Sequence, residues 1–269
     1  MFLETCMSPL RPVLFLALAA LPGAALAQST ETGYGSAQPE FVFSLRGGAS
    51  VAPEYFGSDD YATGPDLGFK FHGLSLRNGR QFGDGDPWTD PLGWDIHGSF
   101  RYIGERDASD YDDLRGMDDI DTAVELGFGF GYTAQNFSAF TDFRRGFGGH
   151  ESWVGEAGMD VIARPGDRWK LTVGPRLFWG SNDYADTYFG VDGNEATASR
   201  PAYYADGGLL SAGIEMGARY QLNDDWGVEG ALTWEQYRND AADSPIVENG
   251  SDDQWTIRFG VTRVFRLRF

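Results

Sequence analysis

The C-terminal segment alternates between apolar and polar residues along its length. Apart from Arg263, one parity carries Trp255, Ile257, Phe259, Val261, Phe265, Leu267 and Phe269. Apart from Val264, the other parity carries Thr256, Arg258, Gly260, Thr262, Arg266 and Arg268. A period of two is typical of a β-strand with one apolar face. The pattern therefore predicts a strand over 254–269.

Other segments repeat this alternation, and the clearest span 94–102, 124–132, 169–179 and 210–222. Their polar parity carries full charges in mid-strand, such as Glu125 and Glu215, and their apolar parity often begins or ends with an aromatic residue. Lipid outside, a polar lumen inside and aromatic girdles at both interfaces produce this pattern. Backbone groups in lipid must be hydrogen-bonded within the protein, so the sheet has to close. The predicted fold is all-β, a transmembrane antiparallel up-and-down β-barrel.

Connection lengths give a strand count and an orientation. The predicted strands span 41–51, 65–76, 92–104, 121–133, 137–146, 151–163, 168–180, 207–222, 226–238 and 254–269. Outer-membrane barrels have short periplasmic turns and longer external loops, which places both termini in the periplasm. Ten strands is the favoured count. Twelve is the alternative, because the Gly/Asp/Pro-rich stretch 77–91 is long for a turn and Tyr184–Val191 could also pair.

The N-terminus has the organisation of an export signal. Arg11 precedes the apolar stretch Val13–Leu21, and Ala25–Ala27 matches an A-x-A cleavage site. The apolar run is shorter than the ~20 residues that a spanning helix needs, which disfavours a membrane anchor. The predicted organisation is a signal peptide at 1–27, a flexible periplasmic lead-in at 28–39 and the outer-membrane β-barrel at 40–269.

Composition narrows the remaining classes. The 269 residues carry a net charge of -19, from 21 basic and 40 acidic side chains, which is the wrong sign for phosphate contacts. We therefore predict no nucleic-acid partner. An aromatic content of 15% disfavours disorder. The single cysteine, Cys6, precedes the predicted cleavage site, so the mature chain has no disulfide.

Charged side chains of both signs fall on the predicted lumen face. The candidate lumen charge network consists of Arg46, Asp95, Arg101, Glu125, Glu156, Arg176, Glu215, Arg219, Glu235 and Arg258. Lumen positions are also predicted for Lys70, Asp142, Arg144, Lys170 and Glu229. A barrel of about eight strands is just filled by its side chains. Ten strands add little room, so a plugged interior rich in salt bridges is favoured over an open pore.

One predicted external loop is rich in aspartate. The candidate acidic residues are Asp107, Asp110, Asp112, Asp113, Asp118 and Asp119. The start of this run resembles a calcium loop, but Leu114 occupies the third ligand position and Arg115 stands where the tight-turn glycine belongs. A solvated loop facing cation-bridged lipopolysaccharide is the favoured interpretation, and a specific divalent-cation site is the alternative.

The sequence offers no recognised catalytic constellation. The histidines are His72, His97 and His150, and neither a G-x-S-x-G nor an H-E-x-x-H motif accompanies them. His97 is predicted to join the lumen network, and glycine-flanked His150 is predicted to be a loop residue. We predict a protein that is not an enzyme and carries no cofactor or metal.

Five segments together resemble a known family. They read APEYFGSDDY at 52–61, LRGMDDID at 114–121, GGHESW at 148–153, GPR at 174–176 followed by DYADTYFGV at 183–191, and DAADSPIV at 240–247. In this order they resemble the MipA/OmpV family of outer-membrane proteins. The resemblance covers nearly the whole predicted mature chain, and the stretch Arg80–Pro91 matches it least.

The resemblance implies a barrel in the outer membrane of a Gram-negative bacterium, in contact with lipid and lipopolysaccharide. MipA-type members are described as scaffolds that link a lytic transglycosylase to a murein synthase, and the family has no catalytic motif. The functional hypothesis is a non-enzymatic scaffold for murein-remodelling enzymes. The alternative is a narrow channel, or a barrel that binds solutes or cationic drugs. The terminal Phe269 resembles the signal that the barrel-assembly machinery reads.

Overall fold

The computed structural model describes residues 38–83 and 85–269. The predicted signal peptide and residues 28–37 of the predicted lead-in lie outside them. The strands are β1 (Glu40–Pro53), β2 (Tyr61–Ser75), β3 (Gln81–Gly83), β4 (Gly93–Ile103), β5 (Ala123–Thr133), β6 (Phe137–Gly148), β7 (Trp153–Ala163), β8 (Trp169–Gly180), β9 (Gly208–Gln221), β10 (Trp226–Tyr237) and β11 (Asp253–Arg268). The helices are α1 (Asn182–Phe189) and α2 (Pro245–Asn249), with short 3-10 turns at Ala108–Asp110, Asp112–Leu114 and Asn239–Ala241. Among the described residues, no helix has the length and apolar character needed to cross a membrane.

The strands form one antiparallel sheet in the order β3-β2-β1-β11-β10-β9-β8-β7-β6-β5-β4. The first and last long strands lie side by side, with Glu40 opposite Arg268 and Val51 opposite Ile257. The sheet is curled. This is shown by the Arg101 guanidinium on β4, which lies 4.8 Å from the ring centre of Phe178 on β8. Within the described residues, the paired order ends at β3 on one side and at β4 on the other.

All ten predicted strands are present, and their boundaries agree closely with the predictions. The largest difference is at the start of β2, predicted at 65 and found at Tyr61. The stretch 77–91 contains an eleventh strand, β3, of only three residues.

The possible strand at Tyr184–Val191 is wrong, because residues 182–189 form helix α1. Tyr184, Ala185, Tyr188 and Phe189 are buried. That spacing of one and three places them on a single helical face. Only Val191 pairs in β fashion, as an isolated bridge to Tyr203.

Burial is inverted relative to a water-soluble protein. Trp94 and Ile96 on the outer face of β4 are 83% and 75% exposed, whereas Glu125 on the inner face of β5 is 0% exposed. Large apolar side chains are exposed in the same way along β2, β5, β8 and β11. Exposed apolar bands of this extent mark a surface that another apolar phase covers. The alternation predicted from the sequence therefore separates a lipid face from a polar lumen.

Apolar packing is concentrated in the long loops at the end of the sheet away from the termini. We call this assembly the external lid, and it comprises loops 54–60, 104–122, 181–207 and 238–252. One of its clusters includes Tyr184, Phe189 and Val247, and a second includes Leu114 and Ile246. The lid is thus a small core built from loops that are distant in sequence.

The start of α2 ties two of these loops together. Pro245 occupies the first turn of α2, and the Ser244 hydroxyl accepts the Ile246 N–H while it donates to the Phe189 carbonyl, with an O···O distance of 2.6 Å. A serine cap followed by proline is the favoured start of a helix. The fully buried Ser244 therefore joins α2 to the end of α1.

Candidate functional site: the charged lumen and its two ends

The outer half of the lumen is held by a buried arginine between carboxylates. Arg144 Nε lies 2.9 Å from Glu125 Oε2, and Arg144 Nη2 lies 3.0 Å from Glu156 Oε2. Arg144 and Glu125 are 3% and 0% exposed. They come from neighbouring strands whose alternate residues share the lumen face. Charge-assisted hydrogen bonds of this kind hold both partners in fixed positions.

Arg101 joins this group from β4. Its Nη1 lies 3.8 Å from Glu125 Oε1. Its guanidinium also lies over the rings of Phe178 and Phe56, at 4.8 and 5.6 Å from the ring centres. Phe56 belongs to the external lid, so this cation–π contact connects the lid to the lumen charges. We call Arg101, Glu125, Arg144, His150 and Glu156 the outer cluster.

His150 has a role that the sequence reasoning missed. It lies in the loop between β6 and β7, as predicted, but its side chain is fully buried, and its Nε2 is 3.4 Å from Glu125 Oε1. Its ring packs edge-on against Tyr184 and Tyr188 of the lid. A Cβ on Gly146 would lie 2.1 Å from the imidazole. In the sequence, the glycine-rich stretch before this histidine was the available sign that the imidazole ring fills the space beside the glycines.

His97 lies in a hydrogen-bonded chain beside the outer cluster. Its Nδ1 is 2.7 Å from Asp95 Oδ2 and its Nε2 is 2.9 Å from Asp142 Oδ1. The Ser99 hydroxyl donates to Asp142 Oδ2 rather than to the imidazole. An activated serine nucleophile needs a hydrogen bond to its base. The geometry of this group is that of a structural network.

The inner half of the lumen holds a second network. Arg176 Nη2 lies 2.9 Å from Asp160 Oδ1 and 3.1 Å from Glu215 Oε1. Arg258 Nη2 lies 2.7 Å from Glu215 Oε2. Glu215 is therefore shared by two arginines. Among the other candidates, Glu235 accepts the Ser211 hydroxyl at 2.9 Å and lies apart from this network.

The segment between β3 and β4 is bound against the opposite wall at the periplasmic end. The Trp88 indole N–H donates to the Asp224 carbonyl at 2.9 Å, and Arg219 donates to the Trp88 carbonyl at 2.8 Å. Asp90 Oδ2 lies 2.5 Å from Lys170 Nζ. Burial alone would raise the pKa of Asp90, but Lys170 and other nearby cations hold it below its ordinary value. Asp90 is therefore a carboxylate anion in a positive field.

The candidate acidic residues do not converge on one point. Asp107 accepts the Ser109 N–H, Asp119 accepts the Ala108 N–H, and the exposed Asp112 pairs with Arg115. The remaining members of the run are Asp110, Asp113 and Asp118. In residues 38–83 and 85–269, no group of three carboxylate, imidazole or thiol side chains is arranged to hold a metal ion.

Phe269 lies immediately after β11. Its backbone N–H donates to the Pro39 carbonyl at 3.1 Å, and the residue is 72% exposed. Its outward position continues the apolar parity of β11.

The sequence of this chain matches a known protein family over most of the strands and the external lid. A family model described as MltA-interacting protein MipA matches residues 45–265. The chain belongs to the MipA family. The outer membrane protein OmpV of Vibrio cholerae is 28% identical to this MipA-family chain over 261 residues, which are 91% of the chain and 95% of the relative. The MltA-interacting protein of Escherichia coli is 25% identical over 250 residues, 87% of the chain and 94% of the relative.

A solved structure of an outer membrane channel from Pseudomonas putida F1 aligns with 88% of this MipA-family chain and with all of its own chain. The identity is 14% and the TM-score is 0.41. Relatives from Vibrio anguillarum and Vibrio cholerae are named outer membrane proteins. Together with the inverted burial, the family places this chain in the outer membrane as a β-barrel.

Proposed function

We propose that this MipA-family barrel is a non-enzymatic scaffold that binds a murein-remodelling enzyme at its periplasmic end. The name of the Escherichia coli relative states an interaction with MltA. Murein lies on the periplasmic side of the outer membrane, so the end that carries the termini and short turns is the one available to such a partner. The observation that carries the proposal is a preorganised acidic concavity at that end.

The acidic concavity has a volume of about 560 Å³. Its charged lining consists of Asp86, Asp167, Asp224, Asp225 and Arg266. Four carboxylates face one guanidinium, so a basic surface is the complementary partner. Electrostatic complementarity of this kind chiefly raises the association rate and the specificity.

Local hydrogen bonds fix the shape of this concavity. Asn223 Oδ1 accepts the N–H groups of Asp225 and Trp226, which sets the β9–β10 turn. Burial alone would raise the pKa of Asp86, but hydrogen bonds from Trp88 and Thr89 hold it below its ordinary value. A binding surface that is already ordered loses less conformational entropy when the partner docks. A standard interface needs about 800 Å² per partner, so the enzyme must also cover the neighbouring turns.

The opposite end of the barrel does not favour the channel hypothesis. Arg101 and His150 contact the external lid through Phe56, Tyr184 and Tyr188. Buried charges below the lid are paired with one another, as in the Arg144–Glu125 contact. A filled outer half supports a role at the periplasmic face over a role in transport.

The test is binding of a purified MltA-type lytic transglycosylase to the refolded barrel. We expect the double substitution Asp167→Asn with Asp224→Asn to raise the dissociation constant about tenfold, which corresponds to a loss of about 1.4 kcal/mol of binding free energy. The loss should be greatest at low ionic strength, because salt screens exposed charges. The matched control is Asp110→Asn with Asp113→Asn, which removes the same charge from the external lid. Equal affinities of the enzyme for the wild type, the double variant and the control would overturn the proposed docking surface. If the enzyme bound none of the three barrels, the scaffold function itself would be overturned.

We infer that in the membrane the sheet closes by pairing β2 with β4. An open strand edge in lipid leaves backbone N–H and C=O groups without partners, at a cost of several kcal/mol for each group. β2 and β4 run antiparallel, so Leu67 should face one of Ile96, Gly98 or Phe100, which share its side of the sheet. The mature chain has no cysteine, and three double-cysteine variants that pair Leu67→Cys with these positions can therefore be tested by oxidation in outer membranes. One should cross-link efficiently, whereas efficient cross-linking of none would exclude this closure.

A further inference from the structure

A cavity of about 250 Å³ lies in the inner half of the lumen, between the walls formed by β1, β2 and β8–β11. Small residues leave the space open, among them Gly217 and Ala231. The charged lining consists of Arg46, Asp66, Lys70, Lys170, Glu215, Arg219, Glu229 and Arg258. Five cations thus face three carboxylates in a chain whose net charge is -19.

The carboxylates near this cavity already have cationic or hydroxyl partners. Asp66 lies 2.8 Å from Arg46, and Glu215 is shared by Arg176 and Arg258. Glu229 accepts the Thr262 hydroxyl and lies 3.9 Å from Arg46. The carboxylates of the cavity wall are therefore already engaged by these partners.

Two cations of the lining have no carboxylate partner within the described residues. Lys70 makes no ion pair there, and Arg219 donates only to the Trp88 carbonyl. Arg46 Nε is also buried, and no hydrogen-bond partner for it lies among the described residues. Lys70 is exposed and Arg219 is half-buried, so both cations are accessible to a dissolved anion. The lining of the cavity therefore carries positive charge that its own carboxylates do not balance.

Asp90 shows that a carboxylate can bind next to these cations. It approaches Lys170 from the segment between β3 and β4, and Lys170 Nζ and Asp90 Oδ2 are 2.5 Å apart. A carboxylate is thus stable at the rim of the same basic surface. Lys70 and Arg219 interact with Asp90 only at longer range and form no ion pair with it.

We propose that this cavity binds a small water-soluble anion that carries carboxylate or phosphate groups, and that Lys70 and Arg219 are its principal ligands. The site is distinct from the proposed docking surface, since the cavity is lined by the strand walls of the lumen. Lys and Arg are the side chains that bind such anions. An anion here would complete the inner network and stabilise the barrel by mass action.

The test uses the mature protein in nanodiscs of phosphatidylcholine, with citrate and inorganic phosphate as probes in separate calorimetric titrations. We expect saturable binding, and we expect Lys70→Gln with Arg219→Gln to weaken it by at least about tenfold, the usual effect of losing about 1.4 kcal/mol. Arg115→Gln with Arg145→Gln removes the same charge from sites outside the cavity, and it should change the affinity by less than a factor of two.

A second variant keeps the charges and fills the space. Ala231→Leu should weaken binding of citrate, the larger probe, if the anion occupies this cavity. Native folding of each variant is checked by its heat-modifiable migration on electrophoresis gels. Absence of saturable binding in the wild type would overturn the proposal, as would an equal loss in the Arg115/Arg145 control. Nanodiscs containing phosphatidylglycerol provide the last arm, and loss of citrate binding in them would assign the site to a lipid headgroup instead.

Discussion

Replacement of Arg144 by methionine is expected to destabilise the folded barrel by about 3–5 kcal/mol, the usual cost of removing one partner of a buried ion pair. Glu125 is 0% exposed and would lose its closest cationic contact, which is 2.9 Å long. Glu156 would lose a second contact, but it is 32% exposed and can be solvated in part. The loss should therefore reflect mainly the uncompensated Glu125.

Urea titration of the barrel refolded in vesicles, followed by the folded fraction on unheated gels, would measure this effect. Arg115→Met is the matched control, because Arg115 is exposed and pairs with the exposed Asp112. Adding Glu125→Gln to Arg144→Met should restore part of the stability, since the buried charge is then gone. If Arg144→Met were no more destabilising than the control, Glu125 would not be a desolvated anion in the folded barrel.

Deletion of Phe269 is expected to remove most of the folded protein from the outer membrane while leaving refolding in vitro nearly intact. The residue is 72% exposed and follows the last residue of β11, so its own packing contributes little to the fold. Its expected role is recognition by the assembly machinery, because it is the terminal aromatic of an alternating strand. A defect confined to cells would separate recognition from stability.

The measurement compares heat-modifiable barrel in isolated outer membranes with the yield of refolding into detergent micelles. Phe269→Tyr keeps an aromatic terminus and should assemble like the wild type. If the truncated protein reached normal levels of folded barrel in the outer membrane, the recognition role would be contradicted. Truncation that fails equally in cells and in micelles would instead show that Phe269 stabilises the sheet.

The strands could be predicted because lipid outside and polar groups inside impose a period of two that the residues report directly. Residues around Glu125 and Arg258 show it, and both lie on predicted strands that the structure contains. The count at β3 could not be fixed in this way, since three residues carry too little alternation to be distinguished from a turn.

The lid and the site at the periplasmic end depend on contacts between distant parts of the chain. Tyr184 and Tyr188 have helical spacing, but a short aromatic run can also be read as a strand. His150 is buried only because α1 packs over it. The position of Trp88 depends on Arg219 and Asp224, more than a hundred residues away. Such contacts are set by tertiary packing, which periodicity does not encode.

The external lid has a consequence for recognition of the cell surface. Its two apolar clusters bring together side chains from four loops, including Tyr55, Leu114, Tyr184 and Val247. The outward-facing surface above them is therefore composite, with neighbouring patches drawn from segments as far apart as 54–60 and 238–252. Antibodies or phages that bind this face would recognise a conformational epitope. A synthetic peptide copied from any single loop would reproduce only a fragment of it.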